Sequence, residues 1–369
     1  MPFWDANAIW FAAAMASAAV AIVLSQLYHQ DFKPAPYDEA SRLLFAVPVY
    51  LALRTDNFRI LKLLEHAFPL GAIAAFLAVG LDPYHQDAAR LGSYFLNVIH
   101  FGDLALMLGL LSFFSINPGR KNSVFSLLLK FSGMLAGSYL SIESGSRGGW
   151  LAALVLLALW IMYANNGKTL TKAVAMLGFA LAAVVAYAFV DVIHQRVVEV
   201  YNDLSAYRHG DRDTSIGLRI QIWQAALYVI MENSLFGAGT EGYRQTILML
   251  SKAGAITSVA REFATAEMHN QILSYSVKYG AFGLLSILAV YFVPLVLFVR
   301  SAGSSAMEQR SAGTMGICLV VGFLIFGLTV EIFNLKNTIT FYSLSVASLL
   351  AAAHRPGKAD AILTRVGTG

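Results

Sequence analysis

Residues 123–164 read SVFSLLLKFSGMLAGSYLSIESGSRGGWLAALVLLALWIMYA. Two apolar stretches, 123–142 and 149–164, flank a short polar turn that carries Arg147. A helix needs about 20 mostly apolar residues to cross the hydrocarbon core of a bilayer. Neither stretch alternates with the two-residue period of a membrane-spanning β-strand, which excludes a barrel. A guanidinium between two spans is costly unless it faces protein, water or an anionic ligand.

The pattern extends along the chain. Of its 369 residues 57% are hydrophobic and 13% charged, where a soluble domain carries about 25% charged residues. Mean hydropathy is +0.62. The expected fold class is all-α, a polytopic membrane helix bundle with a helical extramembrane segment. Ten spans are read, at 8–28, 41–53, 60–80, 92–115, 123–142, 149–164, 170–191, 271–299, 313–333 and 338–353, and about 10–12 are expected in all. Residues 1–191 form N-terminal transmembrane helices. Residues 192–270 form an extramembrane segment with amphipathic helices, 271–354 the C-terminal transmembrane helices and 355–369 a tail. Met1–Asn7 has no basic stretch and carries Asp5, so the first apolar run is expected to be retained rather than cleaved.

Basic residues set the expected orientation. One set of connections and the tail hold Arg54, Arg59, Lys62, Arg120, Lys121, Lys168, Lys172, Arg300, Arg310, Arg355, Lys358 and Arg365; the alternate set holds Lys33, Arg42, Arg90, Arg147 and Lys336. Twelve against five makes the first set cytoplasmic. Both termini then lie inside, and Arg147 and the segment 192–270 lie outside. The net charge of +4 comes without a Lys/Arg-rich run, so no nucleic-acid partner is expected. Cys318 is the single cysteine and is read as packing.

Three polar clusters can carry chemistry. The first is Glu143-Ser144-Gly145-Ser146-Arg147-Gly148-Gly149-Trp150. Its glycines let backbone approach a ligand, and its arginine offers a planar fork for phosphate oxygens. A helix-end turn whose arginine reaches the headgroups is the competing reading. The second runs from Gly217-Leu218-Arg219 through Trp223 to Glu232-Asn233-Ser234-Leu235-Phe236-Gly237-Ala238-Gly239 and Tyr243-Arg244. Ile216, Ile220, Trp223, Leu227 and Ile230 predict one apolar helical face, stopped at Asn233 and Gly237. Arg219 near the helix start would be reinforced by free N–H groups in binding an anion. An amphipathic helix with solvated arginines is the alternative.

The third cluster is Glu267-Met268-His269-Asn270-Gln271. Histidine accepts a proton near neutral pH and, at a span entrance, can deprotonate a hydroxyl; it can equally cap the helix. Asn97, His100 and Asp103 are expected to share one inward face as a polar clamp. Glu331, Asn334 and Lys336 border the last outer loop and could extend an outer-face site; a solvated turn is the favoured reading. The chain holds no His-x-x-x-His or His-Glu-x-x-His spacing and no Gly-x-x-x-x-Gly-Lys-Ser/Thr loop, so neither a metal, a cofactor nor ATP hydrolysis is expected.

Ser146-Arg147-Gly148, the Arg219–Trp223 helix running into Glu232–Gly239, and His269-Asn270-Gln271 before Leu273, Gly280 and Gly283 follow one another as in the O-antigen ligase and polymerase superfamily. The chain resembles that family over about residues 130–300. It departs at Ser234, where members often carry proline, which bears on the turn and not on the chemistry. The resemblance implies a GT-C-like integral-membrane glycosyltransferase of the bacterial inner membrane, with its active site facing the periplasm. Such an enzyme is expected to move a glycan from undecaprenyl diphosphate to a sugar hydroxyl, inverting the anomeric centre without a metal. Arg147 and Arg219 would hold the donor diphosphate and His269 would activate the acceptor hydroxyl. Ser146, Asn270, Tyr243 and Arg244 are added as substrate-binding candidates. The leading expectation is an O-antigen ligase acting on lipid A-core. An O-antigen or capsular polysaccharide polymerase shares the donor chemistry and takes another glycan as acceptor. A protein O-glycosylating member fits less well, because the chain is short. A lipid-linked oligosaccharide flippase is the alternative of another class; it would spread charges through a central cavity rather than gather them on one side.

Overall fold

A computed structural model of the chain describes residues 4–55, 59–81, 91–93, 96–116, 122–164 and 169–354. The described residues form fourteen helices: α1 (Ala6–His29), α2 (Ala35–Thr55), α3 (Ile60–Gly80), α4 (Val98–Phe114), α5 (Val124–Ser144), α6 (Arg147–Ala164), α7 (Thr169–Phe189), α8 (Asp191–Arg208), α9 (Ser215–Glu232), α10 (Gly239–Lys252), α11 (Ser258–Ala266), α12 (Gln271–Ala302), α13 (Met307–Gly327) and α14 (Lys336–Ala353). No β-strand occurs among them, only an isolated bridge between Ser93 and Leu96. The chain is an all-α, multi-pass membrane protein. Five helices, α1, α3, α5, α12 and α13, are long and apolar enough to cross a bilayer, and shorter apolar helices span Val98–Phe114, Arg147–Tyr163 and Lys172–Leu181.

Short polar side chains set where several helices begin. Asp5 accepts from the Ala8 N–H ahead of α1, Ser123 from Ser126 ahead of α5, Thr214 from Gly217 ahead of α9 and Thr257 from Ala260 ahead of α11. Each satisfies an N–H that has no partner inside its helix. Glycines let the apolar helices touch through their backbones: a Cβ on Gly137 of α5 would lie 2.3 Å from the Ala105 carbonyl of α4. Close approach of this kind is how helices associate where lipid supplies no hydrophobic drive. Two of the buried cations are paired with carboxylates. Lys130 Nζ lies 3.3 Å from Glu65 Oε2 and donates to the Ser115 carbonyl, and Arg54 meets Asp5 at 2.6 Å.

The core of the C-terminal half is aromatic. Tyr291, Phe323, Phe326, Phe333 and Tyr342, from α12, α13, α14 and the 328–335 turn, are each fully buried. Against this core stands α12, which is interrupted at Gly280 (φ 62°, ψ −145°). The turn after α9 fills the interruption. The Ala281 N–H donates to the Ser234 and Leu235 carbonyls, and the Ala238 N–H donates to the Val277 carbonyl at 2.8 Å. A Cβ on Gly280 would meet the Leu235 backbone at 2.4 Å, and one on Gly237 (φ 74°) would meet Lys278 at 2.5 Å. Only glycine fits both positions, and the loop supplies the hydrogen-bond partners that the broken helix gives up. The turn read as a simple stop is therefore a wedge that locks α9 and α10 onto α12.

Several sequence expectations shift. The fourth span, placed at 92–115, starts only at Val98, because Asn97 caps α4 by accepting from the Ile99 N–H. Asn97 is exposed, so it does not share the inward face of His100 and Asp103, which are 4% and 0% exposed. The ninth span, placed at 313–333, runs Met307–Gly327; residues 328–335 turn out of the helix because their backbone is claimed by bonds described below. The second helix is longer than its expected 41–53. On α9 the buried face is Leu218, Ile222, Ala225, Ala226 and Val229 rather than the predicted stripe, and Leu227 is 52% exposed. Alanine at the contact lets α9 sit close to α11 and α12 and sends the large side chains to the flanks. Of the basic residues used for orientation, Arg90, Arg120, Lys121, Lys168, Arg355, Lys358 and Arg365 lie outside the described residues, as does the tail 355–369.

Candidate functional site

The polar clusters meet at the end of the bundle that carries α8 to α11. Arg147 is the first residue of α6, and its guanidinium pairs with the Glu199 carboxylate of α8 through Nη2, with Asp203 at 3.9 Å from Nη1. Arg219, one turn into α9, lines the same cavity of about 280 Å³, together with Ser146, Gly148, Ser215 and Thr329. Its guanidinium makes no hydrogen bond or ion pair to the described residues. Burial, followed by repulsion from Arg147, lowers the Arg219 pKa, while Glu267 and Asp203 oppose the shift. A guanidinium keeps its proton regardless. The first two motifs thus place two cations in one cavity, one balanced by carboxylates and one with its donors free.

The glycines beside Arg147 serve packing. A Cβ on Gly148 would lie 2.6 Å from Thr329 Oγ1, and one on Gly149 would lie 2.9 Å from Asp103 Oδ1. They let α6 press against α4 and the 328–335 turn, where sequence reasoning had reserved them for ligand approach. Ser146 lines the cavity but is 1% exposed, and its hydroxyl donates to Asp103 Oδ1 at 2.6 Å. It anchors the start of α6.

His269 stands beside this cavity and not in its lining. Its backbone has φ 54°, unusual for a residue with a side chain. Its Nδ1 is buried with no hydrogen bond among the described residues, 3.8 Å from Glu267 Oε2. Burial lowers the His269 pKa; Glu267 opposes this and Arg219 adds to it. Burial also raises the Glu267 carboxyl, against the pull of His269. At neutral pH the imidazole is uncharged and able to take a proton. Trp223 of α9 ties the two parts together, donating from Nε1 to the Met268 carbonyl at 3.2 Å.

The other substrate-binding candidates have different placements. Asn270 caps α12, its Oδ1 accepting from Ile272 and Leu273 at 3.0 and 3.1 Å. Tyr243 is 4% exposed in the apolar cluster of α9, α10 and α11, and burial, with Glu331 second, raises its pKa. Arg244 is exposed on α10 and lines neither this cavity nor the larger one described below.

Glu331 is the residue the sequence reading misplaced. Taken there as part of a solvated turn, it is 2% exposed. Its carboxylate accepts from the Met268 N–H and Ser274 Oγ, each at 2.6 Å, from Lys278 Nζ at 3.0 Å and from Asn334 Nδ2. Its own N–H donates to Glu267 Oε1 at 2.6 Å, and the Phe333 N–H donates to Gln271 Oε1 at 2.7 Å. Burial alone would raise the Glu331 pKa; Lys278 and the hydrogen bonds outweigh it, and the net shift is downward. A carboxylate with this many donors stays ionised in a buried site. It fixes the segment that carries His269 to the turn that carries Thr329. The available signal was a carboxylate at the edge of an apolar run, which needs a partner.

Residues 131–288, which include Arg147, Arg219 and His269, match the protein-family model described as O-Antigen ligase. Over those residues the chain is similar to the O-antigen ligase family. It is 26% identical over 314 residues to an uncharacterized protein of Haemophilus influenzae, covering 82% of this chain and 75% of that one. It is 25% identical over 226 residues to an O-antigen ligase of Escherichia coli, covering 61% of this chain and 51% of that enzyme. The chain thus spans about half the length of the latter. All three motifs fall within the matched segment.

Proposed function

We propose that the chain is a glycosyltransferase of the ligase or polymerase type that transfers a glycan from a lipid-linked diphosphate to a sugar hydroxyl. Within that class we assign it as an O-antigen ligase. Its donor would be polysaccharide on undecaprenyl diphosphate, its acceptor lipid A-core, and its site the periplasmic face of the inner membrane. The observation that carries the reading is the shared cavity of Arg147 and Arg219, in which the Arg219 guanidinium makes no hydrogen bond or ion pair to the described residues.

The chemistry follows from those groups. The diphosphate would take up the free donors of Arg219 and compete with Glu199 and Asp203 for Arg147. Charge-assisted bonds of this kind strengthen as the leaving oxygen gains charge. The acceptor hydroxyl oxygen attacks the anomeric carbon from the side opposite the diphosphate. The bond from that carbon to the phosphate oxygen breaks, its electron pair leaves with the diphosphate, and the hydroxyl proton passes to neutral His269. Displacement from the opposite side inverts the anomeric centre. Glu331 holds the Met268 backbone and so positions His269.

The test is a reconstitution. Purified protein in lipid is mixed with undecaprenyl-diphosphate-linked glycan and lipid A-core, without nucleotide. Ligated lipopolysaccharide is expected. Lengthened lipid-linked glycan with no ligated product would make the protein a polymerase, and movement of the donor across vesicles with no transfer would reject the enzyme altogether.

A further inference from the structure

A second cavity of about 560 Å³ opens at the same end of the molecule and shares no lining residue with the arginine cavity. It lies between the end of α1 and the start of α10. We propose that it binds a hydroxyl-rich, uncharged stretch of carbohydrate, a glycan subsite separate from the diphosphate pocket. The ligand class rests on the glycosyltransferase reading above; the cavity and its chemistry do not.

The volume is that of a small-molecule site, which runs to about 300–1,000 Å³. The lining supplies hydrogen-bonding groups and no arginine. Its one lysine, Lys33, is already neutralised by Asp31 at 2.8 Å, and Glu241 adds a negative charge. A phosphate would find no free cation there, in contrast to the cavity of Arg219. Asn233, Thr240 and Gln245 contribute side chains that donate and accept, as an array of sugar hydroxyls requires.

Two further observations point to a ligand. The residue before α10, Ala238, gives no side-chain cap, so the first N–H groups of that 14-residue helix lack the usual side-chain acceptor. Tyr279 belongs to the cavity wall and is 8% exposed, yet its hydroxyl makes no hydrogen bond to the described residues. That hydroxyl is open to the cavity, where a sugar hydroxyl can meet it.

The subsite is wired to the reacting end. Tyr279 follows Lys278, whose ammonium holds Glu331, which in turn holds the Met268 N–H beside His269. On the opposite wall, His29 Nε2 lies 2.9 Å from the Gly237 carbonyl, in the wedge that enters the α12 break. Sugar seated here would therefore lie outside the arginine cavity, engaged away from the bond that reacts. The same hydroxyl chemistry comes from two sources, the donor glycan and the acceptor core.

Saturation-transfer NMR on the full chain in detergent tests the proposal with two lipid-free probes, core oligosaccharide and repeat-unit oligosaccharide. One of the two is expected to bind, and which one binds names the source. Gln245→Trp, on the exposed side of α10, fills the cavity and should weaken that binding by about tenfold or more. Tyr279→Phe should weaken it about fivefold, the loss of one hydrogen bond. Arg147→Ala should leave it unchanged while transfer is lost. Binding in an otherwise transfer-inactive wild type would sustain the subsite and sink the transferase reading. No binding of either probe, equal binding by Gln245→Trp, or displacement of the probe by inorganic pyrophosphate in the Arg147→Ala protein would overturn the subsite.

Discussion

Glu331 and Arg219 are both charged, both largely withdrawn from water, and both at the α8–α11 end of the bundle. They differ in what surrounds them. Glu331 accepts four hydrogen bonds from Met268, Ser274, Lys278 and Asn334. Arg219 makes none to the described residues and faces Arg147 across a cavity. A buried charge whose bonding capacity is used up holds structure together; one whose capacity is left open, in a cavity, is poised for a ligand. Saturation, more than burial, separates scaffold from site here.

The largest effect should come from breaking the saturated side. Glu331→Ala leaves Lys278 and the Met268 N–H without their acceptor, and removal of one partner from a buried pair costs about 3–5 kcal/mol. Thermal unfolding in detergent should show a large drop in midpoint together with loss of transfer. If the variant unfolds like the parent, Glu331 is not the anchor described here. The open side should respond in the opposite sense. Arg219→Ala, and likewise Arg147→Ala, should abolish transfer in reconstituted lipid while the unfolding midpoint stays where it was. Arg219→Lys should recover little, because a point charge does not reproduce a two-pronged contact.

His269 lies between these extremes. His269→Ala should slow turnover by a factor on the order of 10²–10⁴, the usual contribution of a general base, with donor binding retained; turnover at the parent rate would remove its role. Its depressed pKa fixes the sign of the pH response. The neutral imidazole is the active form, so activity persists at neutral pH and falls as pH drops through the folded pKa, below the ordinary imidazole value of 6.5. A rate profile whose acid limb lies above 6.5 would contradict the burial argument. The smallest effect belongs to Asn270→Ala, which removes a helix cap worth about 1 kcal/mol. A modest fall in unfolding midpoint with donor affinity unchanged would mark Asn270 as structural; a loss of donor affinity alone would return it to the binding site.

Much of the molecule is legible along the chain. Apolar runs separated by capped turns specify an all-α membrane protein, and the first residue of α12 coincides with the start expected for that span. Boundaries moved where a side chain capped a helix, as at Asn97, or where the backbone bonded to a distant segment, as in the turn after Gly327. The buried face of α9 was misjudged because large apolar residues mark a face that can be buried, while alanines decide which face packs closely. Arg147 and Arg219 stood out because an isolated cation near apolar sequence is conspicuous. Glu331 did not, since three of its four donors come from residues 268 to 278, far away in sequence.

Amphipathic period, span length and capping residues act over a few residues, so the chain by itself determined which segments are helices and that they belong in a membrane. Which charges meet is a property of the packed bundle. The Gly280 break accepts the Gly237 wedge only once α9 lies against α12, and the arginine cavity exists only once α6, α8 and α9 converge. Local sequence encodes the elements because their hydrogen bonds are internal; tertiary structure alone decides partners, because a carboxylate or guanidinium bonds to whatever the packing of distant helices brings within about 3 Å.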